Sequence, residues 1–242
     1  MAAKRVTRRV GTFYGIGLGP GDPELITVKA RRIIQQCPVL FLPQGGEKED
    51  GLALSVIKDM VSKENQEIIS LPFPMTLDPV ILDKAWGKAA ELIAFKLKEG
   101  RDVAFLSLGD PLLYSTFIYV YHAVKNIYSQ AITEIIPGIS SISAASARAL
   151  IPLASGSQRV AIITGVNNHE NLENIIDEFD TVIILKISRS LEYTLDILNK
   201  TGLTEKAIVV TRCSLPGEKI YNDVHLLRGK KLDYFSLMIV RK

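Results

Sequence analysis

The stretch Gly15-Ile-Gly-Leu-Gly-Pro-Gly-Asp-Pro-Glu-Leu-Ile-Thr27 lies between an apolar run at 12–14 and a helical pattern at 28–36. This order predicts a strand, a glycine-rich loop and a helix. Loops of this kind let backbone N–H groups approach a ligand closely, because glycine has no Cβ and tolerates positive φ. Asp22, followed by Pro23 and Glu24, is typical of a helix N-terminus, so we expect Asp22 to cap the first helix.

The spacing of these glycines excludes the common nucleotide-binding motifs. A dinucleotide fingerprint needs Gly at the first, third and sixth places. The sixth place holds Pro20 when counting starts at Gly15, and Asp22 when it starts at Gly17. No acidic residue for a ribose follows the second predicted strand, which ends at 41–44, and no Gly-Lys-Ser/Thr of a P-loop follows the glycines.

Two further loops follow predicted buried strands. The run at 103–108 leads into Gly109-Asp-Pro-Leu-Leu-Tyr114 and a helix to Tyr128, and the run at 132–136 leads into Pro137-Gly-Ile-Ser-Ser141 and a helix at 142–150. Ligands of open α/β sheets bind at the carboxyl ends of the strands. The sequence therefore predicts a ligand site formed by these loops.

The alternation of strands and short helices predicts the α/β class with two α/β domains. Five strands before residue 150, together with a long helix at 79–98, predict a parallel sheet, and the linker at 151–156 places a domain boundary near 153. We therefore expect domains at 1–153 and 154–242, the second with a mixed sheet, and an active cleft between them. In the second domain we expect strands at 160–164, 181–187 and 207–212, helices at 169–179 and 190–199, and a closing hairpin or edge pair at 219–223 and 234–240.

Composition excludes several function classes. The net charge of +3 in 242 residues is too small for a nucleic-acid-binding surface, and no apolar run of about 18 residues predicts a membrane span. No signal peptide is expected. We expect Cys37 and Cys213 to be buried, reduced cysteines of a cytoplasmic protein. The three histidines, His122, His169 and His225, are isolated, so no metal site is predicted. A mean hydropathy of +0.18 favours a homodimer that covers an apolar patch.

The chain resembles the tetrapyrrole (corrin/porphyrin) methyltransferases, which use S-adenosylmethionine. The resemblance rests on the ordered set of Gly17-Leu-Gly-Pro-Gly-Asp-Pro-Glu-Leu-Ile-Thr27 with Ala30, Gly109-Asp-Pro111 and Pro137-Gly-Ile-Ser-Ser141, and it covers essentially the whole chain. Within the family, the segments at 71–76, 107–114 and 141–148 are most similar to the precorrin-2 C(20)-methyltransferases of cobalamin synthesis. The resemblance implies two α/β domains, S-adenosylmethionine as cofactor, a homodimer, and precorrin-2 or cobalt-factor II as substrate.

Methyl transfer from a sulfonium needs alignment and exclusion of water more than it needs a metal or a covalent nucleophile. We expect backbone groups and small hydroxyls to hold the cofactor: Gly109, Asp110, Leu113, Ser140 and Ser141, with Ile187 and Leu215 from the second domain. The resemblance places the first loop against the substrate: Gly19, Pro20, Gly21 and Asp22. The candidates for binding substrate carboxylates are Lys186, Arg189 and Arg212, which lie near predicted strand ends, with Arg148 as a further cation.

Other roles stay open for these residues. Asp22, Asp110 and Tyr114 are the candidates for proton transfer, but Gly109, Asp110 and Pro111 also suit an ordinary turn, and Ser140 and Ser141 suit helix capping. The alternatives for function are uroporphyrinogen-III methyltransferases, enzymes for other corrin carbons, ribosomal RNA 2'-O-ribose methyltransferases, diphthine synthase, and a non-catalytic nucleotide-binding module. The sequence leaves open whether the substrate contains cobalt.

Overall fold

The computed structural model describes residues 9–45, 51–62, 64–74, 76, 78–165 and 172–242. The chain divides into two compact units, residues 1–140 and 141–242, and each contains its own five-stranded sheet in the described residues. The predicted α/β class is confirmed. The domain boundary near residue 153 stays a prediction, and the predicted helix start at His169 lies outside the described residues.

The first unit is built on a parallel sheet. Its strands are β1 (Thr12–Gly17), β2 (Val39–Gln44), β3 (Glu67–Pro72), β4 (Val103–Ser107) and β5 (Ile132–Ile136), in the order β3-β2-β4-β1-β5. Its helices are α1 (Val28–Gln36), α2 (Leu52–Ile57), α3 (Pro79–Lys98) and α4 (Thr116–Ile127). Because β4, β1 and β5 are adjacent and parallel, the three loops that follow them leave the same edge of the sheet.

Alternating residues of β1 face two separate cores. Phe13 packs with Phe105 and Phe117 on one face, whereas Ile16 packs on the other face with the apolar side of α1. A Cβ on Gly15 would overlap the ring of Phe117, so this glycine is needed for α4 to pack closely on the sheet. Gly15 therefore serves core packing, although the sequence places it within the glycine-rich ligand loop.

Helix α1 begins five residues later than a cap at Asp22 would place it. The carboxylate of Asp22 accepts the N–H of Glu24 at 2.9 Å and caps only a short 3₁₀ turn, Pro23–Leu25. Ile26 and Thr27 have extended backbone, which interrupts the helix, and the hydroxyl of Thr27 then caps α1 by accepting the N–H of Ala30 at 3.2 Å. The prediction that Asp22 caps the first α-helix is wrong.

The second unit has a mixed sheet. Its strands are β6 (Val160–Thr164), β7 (Thr181–Leu185), β8 (Ala207–Thr211), β9 (Lys219–Tyr221) and β10 (Ser236–Arg241), in the order β6-β7-β10-β8-β9. Its helices are α5 (Ser141–Ala149), α6 (Leu172–Glu178) and α7 (Leu191–Thr201). Only β6 and β7 pair in parallel. No helix in the described part of either unit is long and apolar enough to cross a bilayer.

The predicted pairing of the last two strands is wrong. β10 lies between β7 and β8 and pairs antiparallel with both, whereas β9 forms the edge of the sheet on β8. The run Leu237-Met-Ile-Val240 is buried throughout, which is typical of a central strand covered on both faces. The predicted strand at 181–187 ends early at Leu185, because Lys186 turns into the left-handed region at φ 56°.

The aromatic core of the first unit gives a direct test of its packing. Phe117 is fully buried between Phe13 and Phe105, so Phe117→Ala should lower the free energy of unfolding by about 3–5 kcal/mol. Leu226→Ala, at an exposed position of the second unit, serves as the control and should change it by less than about 1 kcal/mol. Urea denaturation followed by circular dichroism measures both, and equal losses would contradict this packing.

Candidate functional site

Three backbone loops meet at the carboxyl edge of the first unit's sheet. Beyond β1, the N–H of Leu18 donates to the carbonyl oxygen of Ser107 at 2.8 Å. Gly19 and Gly109 then form an antiparallel bridge, in which the N–H of Gly109 donates to the Gly19 oxygen at 2.7 Å. The first and second loops are therefore joined by backbone hydrogen bonds before either leads into its helix.

The third loop packs closely against the other two at glycine positions. A Cβ at Gly138 would overlap the carbonyl oxygen of Gly109, and a Cβ at Gly17 would lie 2.5 Å from the nitrogen of Gly138. Gly109 differs, because its φ is 72° and a Cβ there would meet no atom within 4 Å. The three glycines thus make a tight backbone junction with one open side at Gly109, where a ligand can approach the main chain.

Asp110 braces this junction with its carboxylate. Its Oδ1 accepts the N–H of Leu112 in its own loop at 2.8 Å, and its Oδ2 accepts the N–H of Gly138 in the third loop at 3.1 Å. Each oxygen therefore satisfies a backbone donor that would otherwise lack a partner in a tight turn. The contacts give Asp110 a bracing role, while its roles in cofactor binding and proton transfer stay predictions.

The second loop ends in a strained turn. Tyr114 has φ 51°, a conformation that costs free energy for a residue with a Cβ, and its side chain is exposed. Leu113 is half-buried, and its N–H donates to the oxygen of Asp110. Ser115 follows, donates to the hydroxyl of buried Ser107 at 3.1 Å, and caps α4 by accepting the N–H of Phe117. The loop is therefore fixed at both ends.

The other predicted residues of the first unit lie in the same loops. Gly19, Pro20 and Gly21 are buried, and the carboxylate of half-buried Asp22 is used as the cap of the 3₁₀ turn. Ser140 is half-buried at the end of the third loop, and Ser141 begins α5 in the second unit. The structure thus brings the first-unit candidates together at one edge of the sheet, and their ligand roles stay predictions.

The predicted residues of the second unit also lie at one sheet edge, at the carboxyl ends of β7 and β8. Ile187 is buried in the 3₁₀ turn Ile187–Arg189 that follows β7. Leu215 is buried in the loop after β8, where its N–H donates to the oxygen of Arg212 at 2.9 Å. Arg189 is exposed at the end of its turn, with its side chain accessible to a ligand.

Arg212 is engaged within the protein. Its Nε donates to the oxygen of Pro216 at 2.8 Å, and its guanidinium pairs with Asp233 at 3.2 Å. Its backbone has φ 51° and donates to the oxygen of Phe235 at 2.6 Å. Arg212 therefore holds the loop after β8 against the segment that leads into β10, and its predicted role toward substrate carboxylates stays a prediction.

Glu218 is the second brace of this loop, and the sequence did not identify it. Its carboxylate accepts the N–H of Ser214 at 2.7 Å and pairs with Arg148 of α5 at 2.7 Å. Burial alone would raise the pKa of Glu218, but the hydrogen bonds from Arg148 and Ser214 together lower it below its ordinary value. The further cation Arg148 is thus paired inside the second unit.

Neither cysteine has the environment of a nucleophile. Burial raises the pKa of the Cys37 thiol to about 12 and also raises the pKa of Cys213. Both thiols therefore stay protonated near neutral pH, and a protonated thiol is a poor nucleophile. The described residues contain no group of three or more His, Cys, Asp or Glu side chains placed to hold a metal ion.

Asp233 and Tyr234 are two further residues at this edge that sequence reasoning missed. Both precede β10, which was predicted to pair with β9 rather than with β7 and β8. The central position of β10 brings Asp233 to Arg212 and the ring of Tyr234 to Lys186 and Arg189. The signal available in the sequence was the continuous apolar run at 237–240, which is typical of a central strand.

The chain is similar to known proteins over most of its length. The sequence profile of the tetrapyrrole (corrin/porphyrin) methylases matches residues 12–225. A cobalt-precorrin-2 C(20)-methyltransferase of Salmonella typhimurium is 32% identical over 96% of this chain and 97% of its own length. A precorrin-2 C(20)-methyltransferase of Sinorhizobium is 30% identical over 96% of this chain and 95% of its own.

Solved structures share the fold at lower identity. A cobalt precorrin-4 methyltransferase superposes with a TM-score of 0.73 at 23% identity, covering 95% of this chain and 94% of the other. A uroporphyrin-III C-methyltransferase of Thermus thermophilus, in complex with S-adenosylhomocysteine, superposes with a TM-score of 0.67 at 19% identity, covering 96% and 98%. Both superpositions support the α/β fold with two sheets described above.

The brace at Asp110 predicts a stability effect that a simple turn residue lacks. Asp110→Asn places an amide N–H₂ against one of two backbone N–H groups, so it should lower the free energy of unfolding by about 1–3 kcal/mol. Asp78→Asn is the matched control: Asp78 also precedes a proline, but it only caps α3, where Asn is nearly equivalent. Urea denaturation checks both, and an Asp110→Asn protein as stable as the Asp78→Asn protein would argue against the brace.

The backbone junction predicts that a single methyl group is not tolerated at Gly138. Gly138→Ala forces Cβ into the Gly109 carbonyl, which cannot rotate away as a side chain can, so the free energy of unfolding should fall by about 1–3 kcal/mol. Gly87→Ala, where the added Cβ meets open space on α3, should be neutral or stabilising. Thermal unfolding measures both variants, and equal stabilities would disprove the junction.

Proposed function

Because this chain belongs to the tetrapyrrole (corrin/porphyrin) methylase family, we propose that it transfers a methyl group from S-adenosylmethionine to carbon 20 of precorrin-2 or of its cobalt complex, cobalt-factor II, in cobalamin biosynthesis. The observation that carries the proposal is the near full-length similarity to relatives named for this reaction, at 30% and 32% identity. The three joined loops supply a site of the required kind at the carboxyl edge of a parallel sheet.

The residues at the junction fit an adenosyl ligand. The open side of Gly109 exposes main chain without a Cβ, and the loop that carries it is fixed by Asp110 and Ser115. Such fixed backbone can bind a nucleoside without reorganising, which reduces the entropic cost of binding. We assign cofactor contacts to Gly109, Asp110, Leu113 and Ser140 of the first unit, and to Ser141, Ile187 and Leu215 of the second.

S-adenosylmethionine would supply an electrophilic methyl group on a sulfonium, and the neutral thioether that departs is a good leaving group. The protein's part in the reaction is therefore to hold the attacking ring carbon in line with the methyl–sulfur bond and to exclude water. Rigid loops serve this purpose, because small displacements from the in-line geometry slow the transfer strongly. The two buried thiols stay protonated, so the protein does not contribute a cysteine nucleophile to the step.

The first loop is assigned to the substrate. Gly19, Pro20, Gly21 and Asp22 would face the macrocycle, and Arg189 and Arg212 would contact its carboxylate side arms. Asp22, Asp110 and Tyr114 are the proposed groups for removing the proton from the methylated carbon. Asp22 and Asp110 accept backbone N–H groups, and Tyr114 has an exposed side chain on a residue with φ 51°.

We further propose that the enzyme is a cytoplasmic homodimer of the tetrapyrrole and porphyrin biosynthetic machinery, with neither nucleic acid nor membrane as partner. Support for self-association comes from exposed apolar side chains on α3 and α4 of the first unit, among them Leu92, Phe95 and Tyr119. Tyr119 also stacks on Trp86 of α3 at a centroid distance of 4.2 Å. Exposed apolar side chains of this kind can be covered by a two-fold contact between identical copies.

The proposed reaction predicts a single regiospecific methylation. Incubation of the protein with S-adenosylmethionine and either precorrin-2 or cobalt-factor II should yield a product heavier by one methyl group, located at carbon 20 by ¹³C NMR with labelled methyl. The rates with the two substrates, measured side by side, show which form the enzyme uses. Methylation of uroporphyrinogen III instead, or of another ring carbon, would overturn the assignment in favour of a different family member.

A further inference from the structure

Two cations of the second unit lie against one aromatic ring. The Nζ of Lys186 lies 5.7 Å from the centroid of the Tyr234 ring, and the guanidinium carbon of Arg189 lies 5.5 Å from the same centroid. Both distances are within the range in which a cation is attracted to the face of an aromatic ring. The charged groups of Lys186 and Arg189 are therefore separated by no more than the sum of these two distances.

The backbone fixes this arrangement. Lys186 ends β7 in the left-handed region at φ 56°, and the N–H of Arg189 donates back to the Lys186 oxygen at 3.2 Å across the 3₁₀ turn. The turn therefore keeps Lys186 and Arg189 close in the chain at the carboxyl end of β7, where both cations contact the Tyr234 ring. Tyr234 reaches them because β10, which it precedes, pairs with β7 in the register Leu237↔Leu185.

The two cations have no counter-charge of their own. In the described part of the chain, no carboxylate lies within ion-pairing distance of Lys186 or Arg189, although the neighbouring Arg212 pairs with Asp233. Asp233 is itself occupied, since its other carboxylate oxygen accepts the N–H of Phe235 at 2.9 Å. Two like charges beside one ring repel each other, and an anion bound between them would remove that repulsion.

We propose that Lys186, Arg189 and Tyr234 form a carboxylate-binding subsite at the carboxyl edge of the second sheet. Arg189 would supply a planar fork suited to a carboxylate, Lys186 a second point charge, and the Tyr234 ring a surface that holds both cations in place. The subsite rests on the proposed function, which offers two sources of this group: a side arm of the tetrapyrrole and the methionine portion of the cofactor. Arg212, which donates to Pro216 and Asp233, is a separate proposed contact for the side arms and not part of this subsite.

Charge-removing variants of the full-length protein test the subsite by direct binding. Arg189→Gln and Lys186→Gln are compared with Lys206→Gln, an exposed lysine without an ion pair in the described residues that precedes β8 at the opposite edge of the sheet. The probes are uroporphyrin III, an eight-carboxylate tetrapyrrole followed by fluorescence, and S-adenosylhomocysteine with its decarboxylated analogue, followed by calorimetry. Each measurement is made at low and at high salt, because exposed charge contacts are screened.

The two sources give different results. If the subsite binds a tetrapyrrole side arm, Arg189→Gln and Lys186→Gln should each weaken uroporphyrin III binding about tenfold at low salt and leave S-adenosylhomocysteine unaffected. If the subsite binds the methionine carboxylate, both substitutions should weaken the binding of S-adenosylhomocysteine about tenfold and leave the binding of the decarboxylated analogue unchanged. Affinities for both probes within about twofold of the Lys206→Gln protein, or a wild-type protein that binds neither probe, would overturn the subsite.

The methylation assay separates this proposal from the proposed function. If the wild-type protein methylates a precorrin and the variants bind both probes as it does, the subsite alone is rejected. If the wild-type protein methylates no precorrin but the variants bind a probe more weakly, the proposed function alone is rejected. Tyr234→Phe and Tyr234→Leu test the ring. Tyr234→Phe keeps the aromatic face and should bind the probe like wild type, whereas Tyr234→Leu should bind it about threefold more weakly. Equal binding by the two Tyr234 variants would remove the ring from the subsite.

Discussion

The close approach of three backbone loops at the carboxyl edge of β4, β1 and β5 is the constraint on which the site depends. Gly17 and Gly138 leave no room for a side chain between the loops, and the Gly19–Gly109 bridge joins the first two. Asp110 then ties the second loop to the third by accepting the N–H of Gly138. A site made of interlocked main chain loses little entropy on binding, which suits a reaction governed by alignment.

The second unit fixes its edge by a different route. Its loop after β8 is held by side-chain braces, Arg212 with Asp233 and Glu218 with Arg148, rather than by glycine contacts. Lys186 and Arg212 both adopt the left-handed conformation directly after their strands, so backbone strain accumulates at this edge. Strain of this kind persists where surrounding contacts over-determine a functional conformation.

Sequence reasoning recovered the parts of the molecule that local patterns specify. The buried strands, the three loops and the long helix α3 follow from apolar runs and turn residues, and the structure confirms them. The start of α1 and the pairing of β10 could not be read the same way. Extended backbone at Ile26 and Thr27 places the start of α1 later than the sequence pattern predicts. Strand order depends on contacts between distant segments, so local patterns could not identify Asp233 and Tyr234 as site residues. The bracing role of Asp110 was missed for the same reason, because its partner Gly138 lies in another loop.

The central claim is that the loops joined at Gly109 and Gly138 hold the cofactor. Amide hydrogen exchange with and without S-adenosylhomocysteine tests it most directly, because bound ligand protects the N–H groups it contacts. The account predicts slower exchange in peptides covering 108–114 and 137–141, with 186–189 and 212–215 following, and no change in β9 at Lys219–Tyr221. Saturating ligand that leaves 108–114 and 137–141 unprotected would contradict the account.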